Sequence, residues 1–168
     1  APEPETARLD AKYRTVESAA KVRDVVARIR AEKRVSLHVL GTSPEGPMRA
    51  GLVGLAVATG EGEAWYLPLT HRTRRETLEL DFGGDGAGEA DAPENLPALT
   101  SSDMRPLRDV LEDPGIEKTG HDLKYAVVLL RRWGIELRGL AFDTMLASYL
   151  IEPGRGSHGN RCVTQAVC

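Results

Sequence analysis

The chain has 168 residues, enough for one domain with a real core, and its 41% hydrophobic and 28% charged content is ordinary globular composition rather than that of a disordered segment. A formal net charge of −3 argues against an autonomous, strongly basic nucleic-acid binder, while leaving room for one part of a larger DNA-handling chain. No apolar run approaches the roughly 20 residues of a membrane-spanning helix and no signal segment opens the chain, so the expectation is a cytoplasmic protein with no membrane partner.

Residues 1–12 are rich in Pro and Glu without apolar periodicity and read as an interdomain linker. From Thr15 to Lys33, Val16, Ala19, Ala20, Val22, Val25, Val26 and Ile29 recur at helical spacing, with Thr15 or Ser18 placed to cap the start. Val35–Leu40, Leu52–Ala58 and Ala64–Leu69 read as three strands of an antiparallel meander, with Pro68 at an edge or past the last ladder bond. Residues 70–101 are polar and rich in Gly, Asp, Glu and Pro, and read as a surface loop. The Gly-rich run 83–89 inside it lacks the Lys-Ser/Thr and the strand-to-helix context of a phosphate cradle.

Ser101 or Ser102 is placed to cap a helix through Met104–Leu111, closed by Asp113, Pro114 and Gly115. A short strand at Ile116–Lys118 and a turn at Thr119–Gly120 lead to a helix from Asp122 to Trp133, whose indole reads as core. Leu140–Phe142 reads as a buried strand, and Asp143 as the cap of a last helix, Thr144–Ile151. This order predicts a three-layer α/β/α domain on a mixed five-stranded sheet. Cys162 and Cys168 lie at the extreme C-terminus and read as free thiols, since two ligands do not make a zinc site.

Several strings stand in a characteristic order: Leu52–Ala56 (LVGLA), Tyr66–Pro68 (YLP), Gly120–Tyr125 (GHDLKY), Gly134–Gly139 (GIELRG) and Ala141–Leu150 (AFDTMLASYL). In type and spacing they resemble the 3′–5′ exonuclease (proofreading) domain of family A bacterial DNA polymerases, of the DNA polymerase I type, over residues 13–159. The resemblance implies a ribonuclease H-like fold, a 5′ nuclease domain before it, a polymerase domain after it in cis, and DNA as the partner of the full-length protein. It also implies a place in DNA replication and repair, near the nucleoid. Past Gly159 the family pattern continues into a further helix, whereas residues 160–168 depart from it, so they read as an aberrant tail that leaves C-terminal helices missing.

Active members hydrolyse DNA with two divalent ions about 4 Å apart, held by converging carboxylates. The family's first motif, Asp-x-Glu, falls here on Val39 and Gly41, and the acid that closes its second motif falls on Ala126. No acid occurs between Val35 and Pro44 to rescue the first motif, and the family's final motif lies beyond the chain's end. Hard divalent cations have no affinity for alkyl groups, so the expectation is no catalytic residue, no metal and no cofactor in this domain. Mg²⁺ belongs to the family's active members and to the polymerase module.

Thr42, Asp122, Lys124 and Tyr125 correspond to the side of the family fold that meets a single-stranded primer end, which makes them candidate DNA contacts. A helix cap for Asp122 and solvated or packing roles for Lys124 and Tyr125 are the plainer readings. His121 beside Asp122 has the look of a metal pair, but sequence places no third ligand beside it. The resulting expectation is an inactive exonuclease-like domain that supports a polymerase module without proofreading. Two rivals stand beside it: an active metal-dependent 3′–5′ exonuclease using unrecognised ligands, and a stand-alone module of ribonuclease H-like fold that binds nucleic acid or protein.

Overall fold

Strand β2, Arg34–Gly41, is the centre of the molecule, with Val35, Leu37 and Val39 buried on one face and Ser36 and His38 exposed on the other. That alternation is the two-residue period of a strand covered on a single side. The structure is a computed structural model that describes residues 12–42, 46–71, 93–154 and 156–159. The remaining elements in chain order are β1 (Lys12–Thr15), α1 (Ala19–Glu32), β3 (Leu52–Gly60), β4 (Glu63–Pro68), a short 3₁₀ turn (Ser102–Met104), α2 (Arg105–Glu112), β5 (Glu117–Gly120), α3 (Leu123–Arg132), β6 (Leu140–Asp143) and α4 (Thr144–Ile151).

The sheet is mixed, in the order β1-β4-β3-β2-β5-β6. The predicted meander is present, with β2 antiparallel to β3 and β3 to β4, while β1, β5 and β6 each join a neighbour in parallel. There are six strands rather than five. The unforeseen one is β1, whose residues are all exposed, so it carries no apolar alternation to read. Main-chain bonds define it instead, with Lys12 N–H donating to the Gly62 carbonyl at 2.7 Å and Val16 N–H to that of Tyr66 at 2.8 Å. Lys12, assigned to the linker by composition, is thus a strand residue. The rest of that linker, most of the polar loop (72–92) and the tail with Cys162 and Cys168 lie outside the described residues.

Helix α1 buries Val22, Val25, Val26 and Ile29 against β2 and β3 and touches α2, while α3 packs on β2 through Ala126, Leu129 and Leu130. Ser18, not Thr15, caps α1, accepting from Lys21 N–H at 3.3 Å. Neither candidate serine caps α2: it follows Met104 directly out of the 3₁₀ turn, and the Ser101 hydroxyl is buried without a partner. Thr119 and Gly120 end strand β5 instead of forming the turn, which falls on His121 and Asp122. Trp133 is partly buried against the core, as its apolar neighbours suggested.

The expectation of a buried strand at Leu140–Phe142 fails. Strand β6 is the sheet's edge, with Leu140 50% and Phe142 54% exposed, beside an α4 that leaves Leu146, Tyr149, Leu150 and Ile151 open. An apolar triplet reports what a strand can bury, not whether anything packs on it. The segment ending at Gly159 returns to α4, where buried His158 meets the Ser148 hydroxyl through Nδ1 at 2.9 Å and stacks on Tyr149 at 3.6 Å.

Candidate functional site

The C-terminal half of β2 and the first turn of α3 form the walls of a cleft of about 430 Å³, which Met145 of α4 and Gly159 complete. Val39 and Gly41 of β2 and the distant Ala126 of α3 all line it. The structure therefore brings together the three positions where the resemblance places metal ligands. Their chemistry is that of core: Val39 is 5% and Ala126 4% exposed, and both belong to the main hydrophobic cluster. At Gly41 an added Cβ would collide with the Tyr125 hydroxyl and crowd Ala50 and Leu129 at 3.1 and 3.2 Å, so a side chain there requires Tyr125 to swing aside. The space that a carboxylate would need is filled by a phenol.

Asp122 is the single carboxylate among the described residues lining this cleft, and its conformation suits a cap rather than a ligand. It sits at φ 55, ψ 55, a left-handed conformation that Asp tolerates, and accepts from Tyr125 N–H at 3.2 Å. Burial first, and the charge of Asp122 second, push the Tyr125 phenol above its ordinary pKa, so it stays protonated at neutral pH. Of the other proposed DNA contacts, Lys124 is exposed. The Thr42 hydroxyl accepts from Gly51 N–H at 2.9 Å, which pins the β2–β3 connection beside the cleft.

Asp143 does more than the predicted capping of α4. One carboxylate oxygen accepts from Met145 N–H at 2.8 Å, Leu146 N–H at 3.4 Å and Asp122 N–H at 3.1 Å, and the other accepts from Leu123 N–H at 2.7 Å. A single side chain thus holds the starts of both α3 and α4, where unpaired N–H groups and helix dipoles favour negative charge. Beside it the Thr144 hydroxyl donates to the Gly120 carbonyl at 3.2 Å and lies 2.9 Å from His121 Nδ1.

His38, which no sequence pattern singled out, lines the same cleft, and both histidines also line an adjoining cleft of about 300 Å³ on the open face of the sheet, among Ser36, Ala56, Ala58 and Ala64. Partial desolvation first, and repulsion from His121 second, hold the His38 imidazole below its ordinary pKa.

Two-metal hydrolysis needs several converging carboxylates, and the residues present do not fit it. The three positions are Val, Gly and Ala, Asp122 is engaged as a cap, and among the described residues no group of three or more His, Cys, Asp or Glu could hold a metal ion. Among the described residues, too, no helix is long and apolar enough to cross a membrane.

Comparison with known proteins agrees with this architecture. Residues 95–166 match the family described as DNA polymerase I, ribonuclease H-like domain. DNA polymerase I of Rhizobium leguminosarum is 32% identical over 156 residues, an alignment that takes in 88% of this chain and 14% of that protein. Among solved structures, the POL domain of Pol1 from M. smegmatis, in complex with DNA primer-template and dNTP, superposes with a TM-score of 0.57 at 26% identity, covering 87% of this chain and 20% of that one. The EXD2 exonuclease domain, at 22% identity and a TM-score of 0.50 over 87% of this chain and 66% of its own, shares the fold. The chain therefore spans a small part of the polymerases it matches. With its mixed sheet, flanking helices and cleft at the end of β2, it belongs to the DNA polymerase I family as a ribonuclease H-like, 3′–5′ exonuclease-like domain.

Proposed function

We propose that this domain does not hydrolyse DNA and serves as structural support for a polymerase module, spacing it from the segment that precedes residue 12. The observation that carries this reading is the floor of the cleft, where Val39, Gly41 and Ala126 converge without a carboxylate and the Tyr125 hydroxyl occupies the space beside Gly41. A Mg²⁺ ion entering there would trade water for alkyl groups, which is unfavourable by several kcal/mol. In this reading residues 1–11 are the linker, 12–159 the domain and 160–168 a tail outside the family pattern, and DNA is met through the full-length polymerase at the nucleoid.

Contact with a single-stranded 3′ end is retained in a weak form. Lys124 offers an exposed cation, and Asp122 and Tyr125 line the cleft next to Thr42. The test is a 3′-labelled single-stranded DNA incubated with the purified chain and Mg²⁺ or Mn²⁺. No release of nucleotides is expected, and metal-dependent release that Asp122→Asn abolishes would establish instead an active nuclease using ligands the family pattern does not contain. Fluorescence anisotropy with the same DNA is expected to show weak binding, reduced by Lys124→Ala.

A further inference from the structure

Residues 12–34 run from β1 through α1 to the first residue of β2. They hold eight Lys and Arg against three Asp and Glu, a net charge of +5 in a chain whose net charge is −3. All eight cations are exposed. With Val22, Val25, Val26 and Ile29 facing the core, about 100° per residue puts Lys21 and Arg28 on one flank of α1 and Arg23 and Arg30 on the other. The first flank is balanced. Glu17 pairs with Lys21 at 2.7 Å and Glu63 of β4 with Arg28 at 2.8 Å, while the helix's own acids, Asp24 and Glu32, stand four residues either side of Arg28. The second flank has no such partners: no acid stands three or four residues from Arg23 or Arg30, and Lys33 and Arg34 extend the basic run. Arg34 has Glu117 beside it across the sheet, but among the described residues Arg23, Arg30 and Lys33 are in no ion pair.

We propose that this second flank of α1 is a docking surface for the phosphate backbone of double-stranded DNA, held without regard to base sequence by Arg23, Arg30 and Lys33. Arg23 and Arg30 lie two turns apart, about 10.5 Å along a rigid axis. Arg30 and Lys33, three residues apart, repel one another, a cost that an anion relieves. The guanidinium fork matches the geometry of a phosphate. The other exposed positions of the helix favour phosphate over an acidic protein. Ala20, Ala27 and Ala31 offer no large apolar or aromatic anchor of the kind that centres a protein interface. A duplex suits the row better than a single strand, because it is already stiff and carries one charge per about 1.7 Å, whereas a flexible strand must first be ordered. The surface is separate from the cleft: Arg34 opens β2 and Gly41 closes it, about 23 Å apart at about 3.3 Å per residue. It therefore stands whether or not the cleft hydrolyses DNA.

The full chain is titrated into a fluorescent blunt-ended DNA duplex without divalent ions, which keeps the result apart from any hydrolysis in the cleft. Binding is read by anisotropy from about 50 to 200 mM salt. Saturable binding is expected, equal on two unrelated sequences and tighter than on either single strand. The logarithm of the binding constant should fall against that of salt with a slope of about −2.7, as three phosphate contacts require. Arg23→Gln and Arg30→Gln, at exposed positions where Gln keeps the helix, should each reduce that slope by about 0.9 and weaken binding severalfold. Arg49→Gln removes the same charge from the β2–β3 connection, at the other end of β2, and should change nothing. No saturable duplex binding, an equal or tighter grip on single strands, or a loss in Arg49→Gln as large as that in Arg23→Gln would each overturn the surface. Displacement of the duplex by polyglutamate as effectively as by unlabelled duplex of equal charge would also overturn it, and would assign the surface to an acidic protein.

Discussion

Replacing Asp143 with Ala should unfasten two helices at once. The carboxylate accepts four backbone N–H groups, two at short distance from Leu123 and Met145 and two longer ones from Asp122 and Leu146. An ordinary N-cap replaced by Ala costs about 1 kcal/mol, and a hydrogen bond to a charged group is worth about 1.5–3 kcal/mol. The site is partly exposed, so water recovers some of this for the N–H groups. A loss of about 2–4 kcal/mol is therefore expected for Asp143→Ala, a large part of the about 5–15 kcal/mol that stabilises a typical domain. Asp143→Asn keeps one acceptor oxygen but turns an amide donor toward the N–H of Leu123 or its neighbours, and should lose about half as much. Urea unfolding followed by fluorescence of Trp65 and Trp133 measures both variants, with the midpoint falling and the slope unchanged. If both variants unfold within about 0.5 kcal/mol of the parent, the idea that Asp143 couples α3 to α4 is wrong.

Gly139 sits at φ +73, where an added Cβ would collide with the Ile116 carbonyl and crowd those of Asp113 and Pro114 at 3.1 Å. Gly139→Ala should cost about 2 kcal/mol or more. Gly134 has φ +75 with nothing within 4 Å, so Gly134→Ala should cost only about 1 kcal/mol by the same urea measurement. Val39→Asp, which restores a carboxylate at a family ligand position, should destabilise by about 3 kcal/mol or more at neutral pH, since the charge enters the core unpaired; a parent-like urea midpoint would show that the cleft floor is wet.

Lys118 is fully buried on β5, where its ammonium donates to the Asp113 carbonyl at 2.6 Å. Burial, partly offset by Asp113, lowers its pKa to about 8. The unfolded chain keeps this proton until about pH 10.4, so between the two values the unfolded state binds more protons and stability rises with pH. Urea midpoints at pH 7, 8.5 and 10 should therefore rise more for the parent than for Lys118→Met, and parallel profiles would refute the assignment.

The parts legible in the sequence share one property: their signal is local. Val22, Val25, Val26 and Ile29 declare α1 by spacing, and the runs at 35–40, 52–58 and 64–69 declare the meander by composition. The positions of Val39, Gly41 and Ala126 in the family pattern pointed to one site, and the cleft does gather them. What escaped lacked any local mark. Strand β1 exists only through its neighbour's backbone, β6 is apolar yet uncovered, and a cap at Asp143 looks the same whether it serves one helix or two.

The sequence by itself determined the family, the order of elements and the alkyl character of the cleft floor, because residue type and spacing are properties of the chain alone. Only the tertiary structure decided that the Tyr125 hydroxyl fills the space above Gly41, that Asp143 ties together two helix starts, and that His38 and His121 line the same clefts. Those relations depend on sheet register and on which helix packs where. Register aligns residues more than eighty positions apart in the chain, as Ser36 and Thr119 show, and no pattern along the chain encodes that distance.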